Sequence, residues 1–202
     1  DSPYYGERWG RHWLDVVGYA DSEGSTISDP VRAWAWKYRD WVVTAFNQDK
    51  PFDEFIIEQL AGDELAGPKN GDWTARQISL LTATGYLRMA ADGTGSGQDN
   101  PTGRNQVISD TLKIVATSLL GLSVQCAQCH DHKYDPFSMK DYYSLFAYFN
   151  SNDEVGLYPQ VQDVQRAFRP FIQVPSSGQT MRLDALKSEL NVVEASLKEP
   201  SA

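Results

Sequence analysis

The sequence predicts an all-α protein. Two observations carry that expectation: apolar residues recur at alternating three- and four-residue spacing along most of the chain, and Gly, Pro and Asp punctuate those stretches where helices begin and end. A third fixes the centre of the fold. The only two cysteines stand together in Cys126-Ala127-Gln128-Cys129-His130, between flanks that also read as helical.

In chain order, residues 7–20 form the first helix, with Trp9, Trp13, Val16, Val17 and Ala20 as its apolar stripe. A polar turn follows from Asp21. Asp29 then caps a second helix with Pro30 at its first position, and Val31, Trp34, Tyr38, Trp41 and Ala45 repeat down to Asn47. Pro51 opens a third helix carrying Phe52, Phe55, Ile56 and Leu60, and Gly62 stops it. Asp72 caps a fourth, through Leu80 and Leu81 to Gly85. Residues 91–103, rich in glycine, read as a loop, either a lid or a wrap around a cofactor. Helix resumes over 104–120 and breaks at Gly121. Ser138 with Asp141 matches a capping box for the helix MKDYYSLFAYFN. Residues 151–178 are loop-like, with a short extended candidate at 168–174. Leu183, Leu186, Leu190, Val193 and Leu197 then space as a coiled-coil seam.

The 202 residues suffice for a real core. The chain opens at Asp1, which predicts a processed or excised piece. No run of apolar residues is long enough for a transmembrane segment. A formal charge of −9 argues against nucleic acid and against an anionic membrane as partner. It permits a basic redox partner.

The pattern C-x-x-C-H is that of a c-type haem attachment site. Two thiols add across the two vinyl groups of one porphyrin, and the adjacent imidazole reaches the iron as proximal ligand. On a helix Cys126 and Cys129 stand at i and i+3 and face one porphyrin edge. Chance supplies the pattern in roughly one chain in a thousand at ordinary residue usage. A zinc half-site would want a second ligand pair, and no further cysteine exists. A thioredoxin-like pair would want a βαβ context. The fold expectation is therefore several helices wrapped around one covalent haem c. Both cysteines become thioethers. Such haem is attached outside the cytoplasm, so the protein is expected to be exported to the periplasm or cell surface.

The opposite face of the iron decides the function. A protein ligand there makes an electron carrier, whereas an open site admits small molecules. His12 ranks first as distal ligand, an open site second and Met89 third. His132 is tethered too close to His130 to cross the porphyrin and fits better as a propionate partner or an orderer of its own turn. Met139 is a further sulfur donor. Arg11 and Lys133, with Arg8 and Arg39, could pair with propionates. Asp131, Asp135 and Asp21 could bind Ca2+.

Three blocks carry a family resemblance: ERWGRHWLDVVGYADS at 7–22, AWKYRDWVVTAFNQDKPFDEFIIEQLAGD at 35–63, and LLGLSVQCAQCHDHKYDPFSMKDYYSLFAYFNS at 119–151. Over about residues 1–155 the chain resembles the planctomycete cytochrome-type domain catalogued as a domain of unknown function. The resemblance implies a multidomain exported protein, with this domain between a cytochrome c module and a larger C-terminal domain. It departs from the family at 88–106, where the Gly-rich loop replaces a polar, acidic segment. The domain expectation is a haem c domain at 1–155, a linker at 156–178, and a truncated coiled-coil-like helix at 179–202. The partner of that helix is expected in the same full-length chain. The leading function is electron transfer to or from an attached domain or redox partner. The first rival is a haem enzyme with an open iron and oxidative or peroxidase-like chemistry linked to polysaccharide breakdown. The second is a glycan-binding module with structural haem, against which the core-like Trp spacing counts.

Overall fold

The computed structural model describes residues 2–22, 29, 31–91, 100–153, 155–156 and 171–198. The helices are α1 (Tyr5–Val16), α2 (Trp36–Asn47), α3 (Phe52–Ala66), α4 (Ala75–Ala83), α5 (Asn100–Val115), α6 (Met139–Phe149) and α7 (Ser177–Lys198). Two 3-10 turns lie at Thr84–Arg88 and Val124–Gln128, and a π-turn at Ala116–Leu120 extends α5. Among the described residues there is no strand, only one antiparallel bridge between Ser22 and Val31. The fold is all-α. No helix among the described residues is long and apolar enough to cross a membrane.

A large aromatic core joins α1 to α4. Trp13, Tyr38, Trp41, Phe55, Tyr86 and Met89 are buried together in it. The ring of Trp41 stacks on Phe55 at 5.2 Å, and Trp13 meets Phe55 edge-on at 5.0 Å. Such pairs each add about 1 kcal/mol beyond the area they bury. Rings this large leave polar atoms to satisfy. Tyr38 donates its hydroxyl proton to Gln59 Oε1 at 2.6 Å, Trp13 Nε1–H lies 2.9 Å from the Tyr38 oxygen and 3.1 Å from Gln59 Oε1, and Gln59 Nε2 donates to the Phe55 carbonyl at 2.9 Å. Burial holds the Tyr38 hydroxyl far above its ordinary pKa, so it stays a donor. Tyr86, bonded to Ser118 at 2.8 Å, is pushed up to about 12 by the same cause.

Bare backbone lets these helices approach. A Cβ on Gly6 would overlap the Val43 carbonyl oxygen of α2, and one on Gly62 would overlap the Leu80 carbonyl oxygen of α4. The Gly6 N–H donates to Asn47 Oδ1 at 2.7 Å. Two residues past the end of α2, Asp49 with its φ of 49° turns the chain back so that Lys50 N–H reaches the Ala45 carbonyl at 3.0 Å. Lys50 then bonds the buried Glu58 at 2.8 Å. Arg76 Nη2 stands 2.6 Å from the other Glu58 oxygen, an ion contact whose angle falls short of a hydrogen bond. Two cations thus offset the cost of one buried carboxylate.

A second, smaller core holds Leu112, Ala116, Val124, Ala127 and Tyr142, with Phe137 and Phe146 against it. Ser109 and Tyr142 share a buried hydrogen bond of 2.8 Å between α5 and α6. The Arg104 guanidinium binds the Asn150 side chain, the Asn150 carbonyl at 2.8 Å and the Asn152 carbonyl at 3.1 Å, which closes the end of α6. Phe149 packs against both cores.

Several sequence expectations are corrected. Trp9 and Val16 are exposed; the buried face of α1 is Gly6, Gly10, Trp13 and Leu14, because the glycines pull that face onto α2. Helix α2 starts at Trp36, and Val31 is held in the bridge to Ser22. Helix α3 runs through Gly62 to Ala66 with a kink at Ala61, since Gly62 serves as a packing contact there. Thr74, not Asp72, caps α4, because Gln77 completes a capping box with it. Residues 100–103 of the expected loop are helical, while 92–99 lie outside the described residues. Of the expected extended segment at 168–174, residues 171–174 carry no strand and the rest lie outside the described residues. The capping box at Ser138 forms as expected: its hydroxyl accepts from Asp141 N–H, and Asp141 accepts from Ser138 N–H at 2.8 Å. The apolar seam of α7 is exposed throughout.

Gln59→Ala removes the acceptor of two buried donors and should cost about 2 kcal/mol, read as a lower urea midpoint. Ser138→Ala should cost about 1 kcal/mol through the lost cap, read in the same titration. The Asp141 carboxylate is held below its ordinary range, first by the Ser138 backbone N–H and then by the hydroxyl. Its contribution is present above the unfolded value of 3.8 and is lost as pH falls through the lower folded value. Amide exchange in the first turn of α6 should therefore quicken in acid, and Asp141→Asn, which removes the titrating carboxylate, should abolish that pH dependence.

Candidate haem-binding site

The attachment segment is presented by period-three geometry. Gly121, at φ 64°, takes the left-handed conformation that ends the π-turn, and the chain then enters the 3-10 turn Val124–Gln128. With three residues per turn, residues i and i+3 eclipse. Val124 and Ala127 therefore share the buried side, against Leu112 and Tyr142. Cys126 lies within the turn and Cys129 caps its C-terminal end, and both thiols are free and exposed. Tyr143, on α6, donates its hydroxyl proton to the Gln128 carbonyl at 3.0 Å and ties the middle of the motif down.

His130 is exposed, and its Nδ1 lies 2.8 Å from the Asp131 carbonyl oxygen. A carbonyl only accepts, so Nδ1 carries the proton and Nε2 keeps a free lone pair. That is the tautomer a metal-binding imidazole needs. Asp131 is itself fixed, its Oδ1 accepting from Met139 N–H at 2.8 Å.

The candidates for the distal side divide. Met89 lies in the aromatic core and is only 5% exposed. The His132 side chain is 6% exposed. Its Nδ1 accepts from Asp135 N–H at 2.9 Å and from Tyr134 N–H at 3.4 Å, and its ring stacks on Phe137 at 4.6 Å, so it orders its own turn. Met139 is exposed at the first position of α6. His12 is exposed on α1, 5.5 Å from the Trp9 ring. The main packing partner of α1 is α2. Arg11 stands 3.7 Å from Asp15 in an exposed pair, and Lys133 lies over the Tyr134 ring. Arg39 is paired with Asp40.

Of the acidic residues weighed for Ca2+, Asp131 bonds Met139, Asp135 flanks His132 and Asp21 accepts from Tyr19 at 2.7 Å. Among the described residues no group of three or more His, Cys, Asp or Glu side chains converges. The Trp residues are not all core: Trp34 and Trp36 are exposed, with Lys37 over both rings. Trp36 borders a shallow groove with Asp40, Thr44 and Thr82, away from the motif.

Sequence reasoning missed the Asp131 carbonyl, the Tyr143 anchor and the burial of His132. The signal for the last was present: His132 and Phe137 bracket Asp135-Pro136, a turn dipeptide that brings two rings together.

No curated protein and no solved structure matches the chain. One family model does match, over residues 1–154, more than half of the sequence. The chain belongs to that family, PSCyt2, described as a protein of unknown function (DUF1549).

Proposed function

We propose that the chain is a c-type cytochrome domain that holds one haem through Cys126, Cys129 and His130 and moves electrons within a larger exported protein. The observation that supports this best is the pairing of two exposed, unpaired thiols three residues apart with an adjacent imidazole whose Nε2 is free. Bound haem supplies one-electron chemistry at iron. The residues of the chain do the rest. The thiols anchor the porphyrin edge, and His130 offers Nε2 as a proximal ligand oriented by the Asp131 carbonyl. Tyr143 holds the segment against α6, and Arg11 and Lys133 are exposed cations suited to propionates. His12 is the remaining protein candidate for the distal side. Donor and acceptor are an attached domain or a separate redox protein, in the periplasm or at the cell surface. The exposed seam of α7 is suited to a helix from the same full-length chain.

One observation favours a second reading, an open iron and a haem enzyme. Met89 and His132 are both committed elsewhere, which leaves few side chains for the distal face.

A visible spectrum of the protein made with c-type maturation separates the readings. Sharp reduced bands indifferent to CO are expected, together with loss of the sixth ligand in His12→Ala. A high-spin spectrum that shifts with CO supports the enzyme. No haem at all overturns both. Cys126→Ala and Cys129→Ala should each leave a single thioether, seen as a red-shifted pyridine haemochrome, while His130→Ala should abolish the native axial spectrum.

A further inference from the structure

The peptide unit joining Asp131 to His132 carries two hydrogen bonds of different purpose. Its carbonyl accepts the Nδ1–H of His130 at 2.8 Å, and its N–H donates to the Phe137 carbonyl at 3.1 Å. A peptide is planar, so fixing the N–H fixes the direction of the carbonyl. What fixes the N–H is the position of Phe137, and the His132 ring governs that position. It stacks on the Phe137 ring at 4.6 Å with planes 23° apart. Its Nδ1 also gathers the N–H groups of Asp135 and Tyr134, which folds the intervening turn back. The Asp135 carboxylate oxygen lies 3.2 Å from the same nitrogen; the backbone N–H is nearer, so Nδ1 acts as the acceptor. His132 thus belongs to the opposite tautomer from His130, with its proton on Nε2.

We propose that His132 is a positioning residue for His130. Through Phe137 and the shared peptide it aims the Asp131 carbonyl, and so sets which nitrogen of His130 is protonated and where Nε2 points. The proposal deepens the haem reading in naming what orients its proximal ligand, but the tautomers themselves can be read with or without haem.

The test is long-range proton–nitrogen NMR of the 202-residue chain with labelled histidine, made without c-type maturation. Wild type should show His130 with the proton on Nδ1 and His132 with the proton on Nε2. His132→Leu keeps bulk but has no acceptor, and should lose the Nδ1–H form of His130 in favour of the Nε2–H form that free imidazole side chains prefer. His132→Asn places an amide oxygen near the Nδ1 position, and should restore the Nδ1–H form. Chain made with maturation should show a matching shift in reduction potential for Leu and its recovery for Asn, since the Nδ1–H bond sets how strongly Nε2 donates to iron. Retention of Nδ1–H on His130 in His132→Leu, with the Tyr142 and Ser109 contact intact by NMR, overturns the proposal. Failure of wild type to carry haem overturns the function proposed above and leaves the tautomer result standing as the measure of this inference.

Discussion

The Gln59 side chain is the joint on which the larger half of the molecule turns. Three helices bring polar atoms into a core of rings: the indole N–H of Trp13 from α1, the hydroxyl of Tyr38 from α2 and the Phe55 carbonyl of α3. One amide answers all of them, accepting from the first two and donating to the third. A buried donor left alone costs as much as a good ring contact adds. Without Gln59 the aromatic packing would carry its own penalty. With it, the rings can be large, and bare backbone at Gly6 and Gly62 lets the helices close around them.

The smaller half is built for display. Its core is shallow, and the 3-10 turn spends alternate sides on burial and on exposure. Val124 and Ala127, three apart on the turn, go inward, and Cys126 and Cys129 are left exposed. The π-turn and Gly121 upstream, and the Ser138 cap downstream, hold this short element between two rigid helices.

Much of this was legible in the sequence. The all-α class followed from periodicity, and the α6 cap from Ser138 and Asp141. Helix edges failed where a tertiary contact outweighed a local signal. Gly62 resembles a stop but is a contact with Leu80, and Asp29-Pro30 resembles a start although Val31 is taken by Ser22. Trp9 fitted a helical stripe, yet the glycines at 6 and 10 decide which side of α1 is inside. Around the motif, the three residues themselves were plain to read. Their support was not, because backbone carbonyls and ring stacking leave no periodic trace.

The peptide between Asp131 and His132 has a consequence for cooperativity. Its carbonyl and N–H lie on opposite edges of one rigid plane, each engaged with a different partner. Rotation of that plane cannot weaken one bond and spare the other. A tilt of the plane that strains the Phe137 contact also re-aims the carbonyl to which the His130 ring is bonded, so a disturbance at one edge is carried to the other.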